Sequence, residues 1–171
     1  MTLDRFSLEK IYMSFIRPIL EYADVIWNSQ NQSLINKLEN VLLDAARIVT
    51  GGTKLTGLNR LYEETKWEKL SDIRQNHKLI LFHKIKNSRT PQYLLDLIPN
   101  SVDSRHNHNT RQVNNMLEIN TRTNQYADYF LPSTIKCWNN LPLTLRKTES
   151  LSIFKNKTSK IKMPKFLLTT T

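Results

Sequence analysis

The first part of the chain carries an apolar stripe with the spacing of an amphipathic helix. Apolar residues recur three and four positions apart, which is typical of a helix with one buried face. We therefore predict a helix from Ser7 to Asn28. Pro18 lies inside it and has no backbone N–H, so a kink or a break is expected near Ile16–Arg17. The stripe consists of Leu8, Ile11, Tyr12, Phe15, Ile19, Tyr22, Ala23 and Ile26.

A second apolar stripe follows a short polar turn. Ser33 is of a residue type that caps helix N-termini, and Gly51-Gly52 is the signal of a left-handed C-terminal cap. Two helices joined by so short a turn can pack antiparallel, so we predict an N-terminal helical hairpin. The apolar positions of the second helix are Leu34, Ile35, Leu38, Val41, Leu42, Ala45 and Ile48.

Three more helices are predicted before residue 99. Leu58–Glu64 reads as a short helix, and Ser71 begins a long one that ends near Asn87. The stretch Leu79–Phe82 makes the long helix apolar on more than one side, so we expect it to be central. Thr90 and Pro91 form a cap followed by an N1 proline, which predicts a short helix over Pro91–Ile98.

The composition changes after residue 99. Asn100–Asn115 is rich in Asn, Ser and His and has few apolar residues, which predicts a long polar loop on the surface. Met116–Asn120 alternates and favours a short extended piece. Helical patterns resume over Asn124–Leu131 and from Pro132 to Leu141, and Ser150 is expected to cap a last, basic helix.

Together these elements predict a mainly α protein, an irregular helical bundle with an N-terminal helical hairpin, a long polar loop and at most a short strand pair. Residues 1–99 form the predicted helical core. Residues 100–123 form the polar loop and short extended segment, and residues 124–171 form the C-terminal helices and a basic tail.

The formal net charge is +10, and the C-terminal end is strongly basic. Thr144–Thr171 contains seven Lys and Arg residues against Glu149 alone, a local charge of +6. Such a segment attracts polyanions because binding releases their counterions. A solvated helix face with a frayed tail that aids solubility is an equally good interpretation of the composition.

Targeting signals are absent from the sequence. No apolar run reaches the length of a membrane span, and the first ten residues lack the apolar core of a signal peptide. Cys137 is the single cysteine, which rules out an internal disulfide framework. We expect a location in the cytoplasm or nucleus, without secretion and without a membrane partner.

Two short stretches match the letters of known catalytic motifs but lack the arrangement of residues that the chemistry requires. Tyr22-Ala23-Asp24-Val25 has one carboxylate, whereas nucleotidyl transfer uses paired metal ions held by paired aspartates. Asp24 is therefore expected to lie on a helix, on the same face as Glu21, and to face water. His106-Asn107-His108 spells HNH within a loop and is best explained as solvated histidines.

Metal and cofactor sites are likewise not expected. Zinc needs about four thiolate or imidazole ligands. His77 and His83 are six residues apart and do not share a helix face well, and Cys137 is expected to be a small buried apolar residue. The phosphate-binding glycine loop is missing. We predict no catalytic residue, no metal, no cofactor and no small-molecule substrate for this chain.

The three tryptophans have two possible roles. Trp27, Trp67 and Trp138 could stack on nucleic-acid bases. Each also lies at the end of an apolar stripe, where tryptophan commonly seals the edge of a core. We favour the core for all three.

The order of several sequence blocks resembles the region that follows the catalytic palm in reverse transcriptases of non-LTR, LINE-type retrotransposons, chiefly the jockey-like and CR-like groups of animals. The family's "Y-x-S-x-I-x-P-x-L-x-Y-(A/G)-x-x-x-W" block is similar to Ile11–Asn28. Its "I-x-x-L-E-x-x-Q-x-x-A-x-R-x-I-T-G" block is similar to Ile35–Gly51, although Leu43 or Asp44 stands at the family's glutamine. Its closing block is similar to Thr121–Pro142 and Ser150–Lys160.

The resemblance implies a non-catalytic C-terminal accessory region of an RNA-directed DNA polymerase. The chain resembles a truncated piece of the polyprotein, or a piece predicted as a separate protein, from a decayed element. Its implied partners are RNA or an RNA–DNA hybrid and the upstream reverse transcriptase domain. A helical protein-interaction or structural scaffold, or an inactive relic fragment, is the alternative. The candidate nucleic-acid-binding residues are Arg111, Arg122, Arg146, Lys147, Lys155, Lys157, Lys160 and Lys162.

Overall fold

The computed structural model describes residues 3–27, 31–101 and 114–160, and this part of the chain is mainly α-helical, as predicted. Its β-structure consists of an isolated antiparallel bridge between Ser101 and Met116. The helices are α1 (Arg5–Ile11), a π-helical turn (Tyr12–Ile16), α2 (Arg17–Glu21), α3 (Asp24–Trp27), α4 (Gln32–Thr50), α5 (Leu58–Thr65), α6 (Leu70–Lys86), α7 (Gln92–Leu95), α8 (Asn124–Ala127), α9 (Phe130–Asn139), α10 (Leu143–Arg146) and α11 (Leu151–Lys160).

The chain divides into two compact units, Met1–Arg74 and Gln75–Thr171, which we call the first and second units. The predicted boundaries lay after residues 99 and 123, whereas this division falls inside α6. Most of the predicted polar loop, residues 102–113, lies outside the described residues.

Pro18 distorts the first helix in the turn that precedes it, which reaches the expected position Ile16–Arg17. Because proline has no N–H, the carbonyl of Ser14 loses its usual helical donor and the turn before Pro18 must rearrange. The chain responds with the π-helical turn Tyr12–Ile16, in which the N–H of Arg17 donates to the carbonyl of Tyr12. The helix continues through this turn into α2.

The single helix predicted from Ser7 to Asn28 is interrupted at a different place, Tyr22–Ala23. Ala23 has a φ of +51°, in the left-handed region that residues with a side chain rarely occupy. The helix restarts as α3 with its faces rotated. Asp24 is therefore only 2% exposed, which corrects the expectation that it faces water.

Helix α4 organises the core of the first unit. Asn31, and not the predicted Ser33, occupies the N-cap, and its side chain accepts a hydrogen bond from the Ser33 N–H at 3.0 Å. Gly51 ends the helix with a φ of +69°, as predicted. The core contains Tyr12 stacked on Trp67 at 4.1 Å between ring centroids, together with Leu20, Leu42, Leu43, Ala45, Ala46, Val49, Leu61, Leu70 and Ile73.

Helix α6 supplies the core of the second unit through Leu79 and Phe82, in agreement with the central position predicted for that stretch. Phe82 packs against the Trp138 ring at 5.1 Å between centroids. Phe154 anchors α11 in the same core. Met116, Ile135, Leu141 and Leu145 complete the buried set.

Proline positions account for the remaining differences from the predicted helices. Pro91, and not Thr90, is the N-cap of α7, which ends at Leu95. Helix α9 begins at Phe130, so Pro132 lies within its first turn instead of starting the helix. Proline is tolerated there because the first N–H groups of a helix have no partner within it.

Candidate nucleic-acid interface

The excess positive charge of the protein lies in the second unit. Gln75–Thr171 contains 15 Lys and Arg residues against 5 Asp and Glu residues, so its net charge is +10. Met1–Arg74 contains 10 of each and has no net charge. The whole excess of the chain therefore lies in one unit, including residues outside the C-terminal segment singled out from the sequence.

Three of the predicted lysines occupy exposed positions of α11, on the flanks and outer side of its buried face. Lys155, Lys157 and Lys160 are exposed, whereas Phe154 and Thr158 on the same helix are buried. Phe154 stacks on the ring of His83 at 4.2 Å between centroids. The three lysines therefore stand on a helix held by its apolar side, and not on a frayed tail.

The other candidate residues have different environments. Lys147 is exposed at the C-terminal end of α10, and Arg122 is exposed just before α8. Arg111 and Lys162 lie outside the described residues. The structure thus describes five exposed candidates: Arg122, Lys147, Lys155, Lys157 and Lys160.

Arg146 is half-buried and already engaged within the second unit. Its Nη1 donates to the backbone carbonyl of Asn114 at 3.0 Å and to Oδ1 of Asn115 at 2.8 Å. Burial lowers the pKa of its guanidinium. These contacts indicate that Arg146 holds the Asn114–Asn115 segment, a role that charge counting could not distinguish from that of Lys147.

Arg89 joins the basic set, although sequence reasoning did not include it. Its Nη2 donates to the backbone carbonyl of Glu149 at 3.2 Å, and the residue is exposed. It lines an open cavity of about 660 Å³ whose other lining residues are Glu149, Ser150, Leu151, Ser152 and Lys155. Two cations and two hydroxyls at one opening can bind an anion such as phosphate, with the Glu149 carboxylate opposing it.

Two of the three tryptophans are not available for base stacking. Trp67 and Trp138 are buried, as predicted. The prediction was wrong for Trp27, which is 40% exposed because it lies on the short helix α3 after the break at Ala23. The guanidinium of Arg74 lies over the Trp27 ring, and the guanidinium carbon is 4.9 Å from the ring centroid.

His83 is buried in the second unit and contributes to packing. Its Nε2 lies 2.6 Å from the carbonyl of Thr148, and its Nδ1 has no hydrogen-bond partner among the described residues. Nε2 therefore carries the proton of a neutral ring. Burial lowers the pKa of His83, which the Thr148 contact partly opposes.

The buried carboxylate of Asp24 acts on the side chain of Arg74 within the first unit. Burial lowers the pKa of the Arg74 guanidinium, and the negative charges of Asp24, Glu39 and Glu21 oppose that shift. Within residues 3–27, 31–101 and 114–160, no cluster of His, Cys, Asp and Glu side chains could hold a metal ion.

Comparisons with protein-family models, curated proteins and solved structures found no match. Among the described helices, none combines the length and the apolar character that crossing a bilayer requires.

Proposed function

We propose that this chain is a non-catalytic accessory region of a non-LTR retrotransposon reverse transcriptase, and that its second unit binds RNA or an RNA–DNA hybrid. The observation that carries the proposal is the confinement of the net charge of +10 to Gln75–Thr171. The order of the sequence blocks from Ile11 to Lys160 supports the assignment to that polymerase family.

The binding chemistry is the neutralisation of backbone phosphates. Lys155, Lys157 and Lys160 offer ammonium groups from one ordered helix, and Arg89 adds a guanidinium beside Lys155 at the open cavity. Contacts of this kind position a nucleic acid and do not read its sequence. The proposed role is to hold template or hybrid for the upstream polymerase domain, in the nucleus or cytoplasm.

A specific observation favours a second candidate, a protein-interaction scaffold. The first unit has no net charge and exposes several large apolar side chains along α1–α3 and the π-helical turn. They are Phe15, Ile19, Tyr22 and Ile26, each at least two-thirds exposed. Contact with the upstream domain would bury them, and this role is compatible with nucleic-acid binding by the second unit.

The test is a salt titration of binding to a fluorescein-labelled RNA–DNA hybrid, followed by fluorescence anisotropy. Each phosphate contact adds about 0.9 to the slope of log K against log salt for duplexes. The triple variant K155A/K157A/K160A should therefore lower the slope by roughly 2 to 3.

The matched control is K37A/K54A/R60A, which removes the same charge from exposed positions of the first unit. It should bind as the wild type does. Equal losses in both triple variants, or wild-type affinity that does not change with salt, would contradict the proposal and leave the scaffold as the better explanation.

A further inference from the structure

Two tyrosine rings project from the second unit at the junction of α8 and α9. Tyr126 is 44% exposed and Tyr129 is 57% exposed. Their ring centroids lie 5.9 Å apart with an interplanar angle of 68°, an edge-to-face arrangement. Each ring thus has a fixed aromatic neighbour and a large area open to solvent.

The backbone that carries these rings is anchored. The N–H of Tyr126 donates to Oγ1 of Thr123 at 3.2 Å, which caps α8. The carbonyl of Tyr129 accepts from the N–H of Ser133 at 3.1 Å and from its Oγ at 2.8 Å. Ser133 is buried, so the start of α9 fixes the position of Tyr129.

The charge of the unit as a whole favours a negatively charged partner. Arg122 is exposed four residues before Tyr126, Asp128 lies between the two tyrosines in the sequence, and the unit carries a net charge of +10. Proteins that bind single strands combine such charge with aromatic rings on which unpaired bases stack. Trp67 and Trp138 are buried and cannot supply those rings.

We propose that Tyr126 and Tyr129 form a stacking site for unpaired bases of single-stranded RNA or DNA. The inference rests on the proposed function and extends it, because phosphate contacts alone would not distinguish single strands from duplexes. The stacked bases would belong to the strand whose backbone phosphates are neutralised by Arg122 and by other cations of the unit.

The experiment compares two ligands of equal charge, a labelled oligouridylate and an abasic phosphodiester of the same length. Base stacking on one aromatic side chain is worth about 1–3 kcal/mol, or roughly 5- to 150-fold in affinity. The wild type should bind oligouridylate at least five-fold more tightly than the abasic strand. Y126A/Y129A should remove that preference and leave abasic binding unchanged.

Two variants separate stacking from other effects. Y126F/Y129F keeps both rings and should retain the preference, whereas Y93A, which removes an exposed tyrosine elsewhere in the unit, should behave as the wild type. Thermal unfolding of each variant establishes that it is folded.

The failures can be distinguished. If the wild type binds both ligands equally and Y126A/Y129A has no effect, the stacking site is overturned while the phosphate-binding proposal stands. If the wild type binds neither ligand nor the hybrid, the proposed function and the stacking site are both overturned.

Discussion

The guanidinium of Arg74 lies over the ring of Trp27, and the buried carboxylate of Asp24 acts on the same guanidinium. Replacing Asp24 by Asn would remove a negative charge that stabilises the buried guanidinium of Arg74 in the first unit. Removing a charge that compensates a buried polar or charged group typically costs about 1–3 kcal/mol. We expect D24N to lower the free energy of unfolding by that amount, measured by urea denaturation.

The control is Asp44, whose carboxylate pairs with Arg47 at 2.6 Å on the exposed side of α4. D44N should cost less than about 1 kcal/mol because water screens an exposed pair. Equal costs for the two variants would contradict a structural role for the buried carboxylate.

The hydroxyl of Tyr12 is buried and finds no hydrogen-bond partner among the described residues. Its ring stacks on Trp67, so Y12F keeps the packing and removes only an unsatisfied polar group. We expect Y12F to stabilise the protein by about 1 kcal/mol. Y22F, at a tyrosine that is exposed, should leave the unfolding midpoint unchanged.

His83 predicts an acid-sensitive second unit. Because burial holds the pKa of His83 below 6.5 in the folded state, the unfolded state binds the proton first as the pH falls. This contribution to stability is complete above pH 6.5 and declines as the pH falls below that value.

The measurement is the urea midpoint between pH 7.5 and 5. The wild type should lose stability over that interval, and H83Q, whose amide can still donate to the Thr148 carbonyl, should lose less. A slope that is unaffected by H83Q would assign the acid sensitivity to other groups.

Arg146 and Lys147 are adjacent, but the structure predicts different effects for them. R146A removes hydrogen bonds to Asn114 and Asn115, so it should lower the free energy of unfolding by roughly 2 kcal/mol. K147A should change stability by less than about 0.5 kcal/mol. In the anisotropy titration, K147A should weaken binding of the hybrid, and the reverse pattern would contradict these assignments.

Ala23 offers a test of backbone strain. A left-handed residue with a Cβ costs about 1–2 kcal/mol, and glycine avoids most of that cost. A23G should therefore stabilise the first unit by up to about 1 kcal/mol. A23V should destabilise it, and a stabilising valine would show that residue 23 adopts another conformation.

The sequence predicted helices correctly where the local helix signals agree with the pattern of buried residues. Helix α4 has a clear apolar stripe and a glycine at its left-handed end, so its C-terminus could be placed. Helix α6 has enough apolar residues to require a central position. The mainly α class followed from such segments.

The break at Ala23 could not be predicted because the apolar period continues across it without a glycine or proline. Burial of Asp24 follows from this break, so the continuous apolar period could not show it. The same limit applies to the interface: Arg146 and Lys147 differ only through Asn114 and Asn115, and Tyr126 and Tyr129 resemble ordinary helix residues until their exposure is known.

The segregation of charge also affects the stability of the protein in the absence of any ligand. An excess of ten positive charges within Gln75–Thr171 repels itself, and folding into a compact unit increases that repulsion. Dissolved salt, or any multivalent anion, relieves it without changing a single packing contact. The first unit has no net charge and therefore no comparable repulsion. A change in ionic strength should therefore change the free energy of unfolding of the second unit far more than that of the first.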